Sequence, residues 1–140
     1  MPVRSHNLDS VAAVLATFKI SQTASVDDLK DADIGKAVTI SGAQTVSPCA
    51  DNSILLGKLV DLSLTDADNG KRVATVQISG VCRLTIAATN PVVGNRVVGA
   101  AAGKIKQAPV LAAFDPAGGN IARGTVIEVN GTTDCLVLLN

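Results

Sequence analysis

The stretch Arg72-Val73-Ala74-Thr75-Val76-Gln77-Ile78-Ser79-Gly80-Val81-Cys82-Arg83-Leu84-Thr85-Ile86 decides the fold. Up to Ser79 it alternates, with Val73, Thr75 and Gln77 on one side and Ala74, Val76 and Ile78 on the other. A period of two in β-branched residues marks a half-buried strand. Gly80 interrupts the pattern, and Val81–Ile86 reads as the start of a further strand.

The same grammar extends in both directions. Upstream, Asn69-Gly70 closes a polar turn, Thr65 to Gly70, and is a strong hairpin signal. Ile54 to Leu64 reads as a long strand in which Gly57 supplies a bulge or bend. Lys36–Ser41 alternates, Gly42-Ala43 turns it, and the short Thr45-Val46 is stopped by Ser47-Pro48. Downstream, Thr89-Asn90-Pro91 breaks the sheet before two short strands, Arg96–Gly99 and Gly103–Lys106. A loop from Pro109 to Asn120 follows, and loops of that length are often interfacial. Ile121–Val129 and Cys135–Leu139 form a last hairpin around Asn130-Gly131. A glycine followed by a polar residue and an apolar strand recurs at Gly35-Lys36, Gly70-Lys71, Gly94-Asn95 and Gly103-Lys104. Its uneven spacing makes it turn chemistry, not a solenoid repeat.

Many short strands with regular turn signals predict an all-β fold, a small β-sandwich or β-barrel of jelly-roll or tulip type, over residues 32–140. Residues 1–31 are expected to form an extended N-terminal arm. Val11–Ile20 fits helix or strand by periodicity, and its later alternation favours an extended segment. Ser25 to Asp33 predicts one helical turn, with Ser25 as N-cap and Asp27 and Asp28 at its positive end. That acidic run lacks the ligand spacing of a calcium loop.

Composition narrows the function. Of 140 residues, 47% are hydrophobic and 17% charged, with twelve basic and twelve acidic side chains and no net charge. Soluble proteins average roughly 25% charged residues, so the surface is bland. There is no Trp or Tyr, and Phe18 and Phe114 are the only aromatics. Nucleic-acid binders carry basic excess and stacking platforms, which argues against nucleic acid as a partner. One histidine, His6, cannot make a histidine-based metal site. Near-zero charge favours association. Cys49, Cys82 and Cys135 form no C-x-x-C pair, and each lies in or beside an apolar stretch, so they read as small buried hydrophobes in a reducing compartment.

No secretory signal is expected from the polar opening Met1–Asn7, and the best apolar run, Val11–Leu15, is far below the ~20 residues that span a bilayer. No nucleophile elbow, P-loop or H-E-x-x-H motif occurs. Asp61, Asp66, Asp68 and Asp115 could pair as catalytic carboxylates, but Asp66 and Asp68 flank a turn where Asp is ordinary. Glu128, the only Glu, is expected on the solvent face or in an ion pair. Gly118-Gly119-Asn120 precedes no helix and so makes no phosphate loop. No enzyme and no cofactor is expected.

Three stretches, in order, carry a family resemblance: Ala32-Asp33-Ile34-Gly35-Lys36-Ala37-Val38-Thr39-Ile40-Ser41-Gly42; Asn90-Pro91-Val92-Val93-Gly94-Asn95-Arg96-Val97-Val98 with Gly103-Lys104-Ile105-Lys106; and Gly124-Thr125-Val126-Ile127-Glu128-Val129 with Cys135–Leu139. Together they resemble the small decoration, or cement, proteins of tailed bacteriophage heads. Asn95 stands where that pattern commonly has Asp, with the same turn chemistry. The resemblance covers roughly residues 32–140.

It implies a β-barrel or sandwich on the outer surface of an icosahedral virion, cementing adjacent subunits of the major capsid protein, made in the cytoplasm of a bacterial host. It implies partners that are the capsid protein and a second or third copy of the chain, with no catalysis, cofactor, metal or membrane. An extended arm would add affinity by strand addition, and repetition over a closed shell would add avidity. The expected contacts are Pro2, Val3, Arg4, His6 and Phe18 from the arm, with Phe114, Asp115 and Pro116 from the long loop. Both Phe rings could instead fill the core. The alternative function is an extracellular β-rich adhesion or surface-layer module.

Overall fold

The computed structural model describes residues 8–63, 71–109 and 122–140. The Asn69-Gly70 turn and nearly all of the 109–120 loop lie outside the described residues.

The chain is nearly all β. Five strands close a barrel: β1 (Val14–Ile20), β4 (Ala37–Gly42), β5 (Thr45–Pro48), β6 (Gly57–Leu62) and β7 (Val73–Thr85), in the order β1-β5-β4-β6-β7 and back to β1. The β1–β5 seam is parallel and short, Lys19 facing Thr45 and Ile20 facing Val46. The other four pairings are antiparallel. Between β1 and β4 lies a two-residue-per-strand hairpin, β2 (Gln22–Thr23) and β3 (Val26–Asp27).

The deciding stretch is one strand serving two cores. Thirteen residues long, β7 runs straight through Gly80, where two strands were expected. Its first half pairs with β1 and β6, and its second half, Gly80 to Thr85, pairs with β11 (Asp134–Leu139). Beyond β11 lies β10 (Thr125–Asn130), as the last hairpin predicts. The hairpin of β8 (Val97–Ala100) and β9 (Lys104–Gln107) joins this half through single bridges, Val97 to Arg123 on one side and Ile105 to Ile86 on the other. A second, looser ring of strands results.

Alternation along β7 fills both rings from the same face. Ala74 and Val76 join Ile20, Leu29, Val38, Val46, Leu59 and Leu62 inside the barrel. Cys82, Leu84 and Ile86 join Ala37, Leu55, Val97, Ile105, Val126, Cys135, Val137 and Leu139 in the second ring. Rings this small have room only for side chains.

Several expectations change. Strand β1 is an integral barrel strand, and Ile20 and Leu29 are core residues, so residues from the 1–31 segment complete the barrel. The expected turn at Ser25 is displaced: Ser25 has a left-handed φ of 65° between β2 and β3, and a 3₁₀ turn falls instead at Asp31–Asp33. The Asp28 carboxylate instead accepts hydrogen bonds from Ser21 Oγ (2.6 Å) and Thr23 Oγ1 (2.8 Å), which, in that order, draw its pKa down. The 54–64 strand begins only at Gly57. Before it, Leu55 turns into one core and Leu56 packs against the other.

Candidate functional site

Of the expected contact residues, Pro2, Val3, Arg4, His6, Phe114, Asp115 and Pro116 lie outside the described residues. Phe18 sits on β1, half-buried, and packs against the barrel core, the core-filling role of the two open to it. Asp61 accepts a hydrogen bond from the neighbouring Leu62 amide (2.9 Å). Glu128 is exposed and lies 3.9 Å from Arg83, which also holds Asp134 at 2.6 Å. The three cysteines are free, buried thiols, and burial pushes each pKa up to about 12. A thiol so disposed is a hydrophobe, not a nucleophile.

Two surface features stand out instead. The first is the stretch 8–15, which passes close along β7 and continues the antiparallel β1–β7 pairing toward Arg83. Ser10 N–H donates to Val81 O (2.8 Å) and Val81 N–H donates to Val11 O (2.9 Å). The approach is so close that a Cβ on Gly80 would lie 2.4 Å from Ala12 O. Asp9 holds it further, accepting from the Arg83 amide (3.1 Å) and from Lys58 Nζ (3.3 Å). Beside this contact Gln77, 1% exposed, donates from Nε2 to Ser79 O (3.1 Å) and Val81 O (2.9 Å). On this anchored backbone Leu8 (39% exposed), Val11 (46%), Val14 (51%) and Leu15 (52%) face solvent. These half-exposed aliphatic side chains, carried on a backbone held by hydrogen bonds, make a candidate contact surface.

The second is a groove of about 580 Å³ lined by Thr39, Ile40, Ser53, Ile54, Leu55, Leu56 and Arg123. Ile40 is 48% and Ile54 55% exposed. Arg123 is the only charged group in the lining. Its backbone is fixed by reciprocal hydrogen bonds with Val97 (3.0 and 2.9 Å). Its guanidinium donates from Nη1 to Leu55 O (3.1 Å) and Leu56 O, and from Nη2 to Ile78 O. The side chain thus ties the irregular segment before β6 to β7, between the two cores. Burial pulls its pKa below the ordinary value, though a guanidinium remains charged.

A third cleft, about 460 Å³, gathers Lys19, Lys71, Arg72 and Asp27, but Arg72 is committed to Asp31 (2.6 Å) and Ser63 O. Among the described residues no three His, Cys, Asp or Glu side chains come together as a metal site would need.

The sequence reading did not reach Arg123, Ile40 or Ile54. An isolated Arg inside the expected strand Ile121–Val129 has no local signature, and its three carbonyl partners are 45 to 68 residues away. The exposed strip had a signal, the apolar run Val11–Leu15, which reads equally as core.

Fold and surface together define an all-β barrel protein that presents apolar surface. Comparison with family models, curated proteins and solved structures finds no match to the chain.

Proposed function

We propose that this chain is a structural, non-enzymatic virion protein that binds the outer surface of an icosahedral phage capsid and cements adjacent major capsid protein subunits. The observation that carries the reading is the anchored aliphatic strip Leu8, Val11, Val14 and Leu15. It continues directly from the N-terminal residues expected to act as an arm, and it sits on a surface with few charges to oppose close approach. Apolar burial at many identical sites holds a coat without a deep pocket or strong single contact. The resemblance over residues 32–140 supplies the partner.

The test is co-sedimentation with undecorated phage heads, after light scattering fixes the oligomeric state. A dimer or trimer that pellets with heads is the expected result. A monomer that stays in the supernatant overturns the reading. Val11→Ser with Leu15→Ser should weaken head binding by about tenfold or more, while each exposed substitution changes folding stability by no more than about 0.5 kcal/mol.

A further inference from the structure

We propose that the groove at Arg123 is a docking site for an extended protein segment that carries aliphatic side chains and one carboxylate. The inference does not depend on the capsid reading and concerns residues other than those of the aliphatic strip.

The argument begins with an imbalance of charge. Arg123 is half-buried, yet among the described residues none of its hydrogen-bond partners is a carboxylate. Arg72 pairs with Asp31 and Arg83 with Asp134, and Arg96, which bonds only the Ala122 carbonyl, is exposed to water. A desolvated cation without a counter-ion is costly, and carbonyl dipoles compensate it only in part. The guanidinium has five N–H donors. Two on Nη1 and one on Nη2 are used, which leaves Nε–H and one Nη2–H. Among the described residues no buried side-chain nitrogen lacks a partner, so Nε, for which no acceptor is described, reaches the surface. A fork of two N–H groups matches the two oxygens of a carboxylate.

The lining supplies the rest of the specificity. Ile40 and Ile54 offer half-exposed aliphatic side chains, while Thr39 and Ser53 supply polar atoms at the same surface. The groove is the size of sites that hold several side chains rather than one. A carboxylate placed in this setting meets a fixed cation beside apolar walls, where a charge pair is stronger than in open water. An uncharged aliphatic segment would leave the cation unpaired, and a basic one would be repelled.

The test uses the whole protein with isotope-labelled isoleucine methyls and arginine side chains. Three short valine- and leucine-rich peptides that differ only in a central Asp, Asn or Lys are titrated, with octanoate as a fourth probe. The Asp peptide should shift the Ile40 and Ile54 methyls and the Arg123 Nε–H, and should bind about tenfold or more tightly than the Asn peptide. Equal binding of the Asp and Asn peptides, or shifts confined to other residues, overturns the proposal. So does binding of octanoate alone, which would make the site one for a free aliphatic acid. Replacing Arg123 endangers three buried carbonyls, so the variants are made at the exposed rim. Ile54→Glu supplies a carboxylate in cis and should abolish the Asp preference, whereas Ile54→Gln should keep it. A preference that survives Ile54→Glu contradicts the assignment.

Discussion

Gly57 has no room for a methyl group. A Cβ there would stand 1.9 Å from the carbonyl oxygen of Gln77, on the neighbouring strand β7, and neither backbone can yield without loss of register. Gly57→Ala should cost about 3 kcal/mol or more in a denaturant titration, near the upper range for single substitutions. Gly94, around which nothing lies within 4 Å, should cost about 1–2 kcal/mol as Ala, through its left-handed backbone alone. If the two cost the same, the close approach of β6 to β7 is not as described. The special status of Gly57 was half legible: the strand pattern marks it as a bulge or bend, and only the three-dimensional approach to Gln77 shows why no side chain fits there. The cysteines were more legible, because an apolar neighbourhood already describes a buried thiol. Native protein should leave all three unreacted with a thiol reagent, and unfolding in denaturant should expose all three.

At the level of elements, β7 is the strand on which both rings depend, and its reading shows what pattern alone conveys. Alternation sorted its first half into two sets of side chains, and the structure shows that Ala74 and Val76 belong to the inward set. Gly80 looked like an end because glycine punctuates strands. Here it marks the place where residues 8–12 pass close, so no side chain fits, and the strand continues past it. That approach is a long-range fact with no local trace. It gives a prediction of its own: Asp9→Ala removes the acceptor of the Arg83 amide and of Lys58, and should cost about 1–2 kcal/mol. Hydrogen exchange at the Ser10 and Val81 amides should quicken, while the β10–β11 amides stay protected. Uniform quickening would mean that the 8–12 contact is not a separate unit. Arg123 was illegible for a related reason, since its role lies in carbonyls that the fold brings from β7 and from the segment before β6.

For the whole molecule, charge and burial set the pH range. Burial of Asp33 would raise its pKa, but hydrogen bonds from Lys36 Nζ (2.8 Å) and the Lys30 amide (2.8 Å) outweigh it, and the net shift is downward. A depressed carboxylate stabilises the fold above the unfolded-state value near pH 4, and that contribution is lost as pH falls through and below it. The thiols act in the opposite sense. Their folded pKa values near 12 lie above the unfolded value of about 8.5, so their contribution is present below that value and is lost as pH rises toward 12. Stability should therefore form a plateau between about pH 5 and pH 8 and decline on both sides, and replacing all three cysteines with Ala or Ser should flatten the alkaline decline. An alkaline limb unchanged in that variant would remove the thiols as its cause.

The same scale holds the central claim, that the barrel coats a capsid through the strip Leu8 to Leu15. The most direct measurement is a cryo-EM reconstruction of undecorated heads incubated with this protein. The account predicts added density at symmetry-related positions on the outer surface, one barrel per copy, with residues 8–15 turned toward the capsid protein. Heads that remain bare, or barrels that touch the shell by another face, would contradict it.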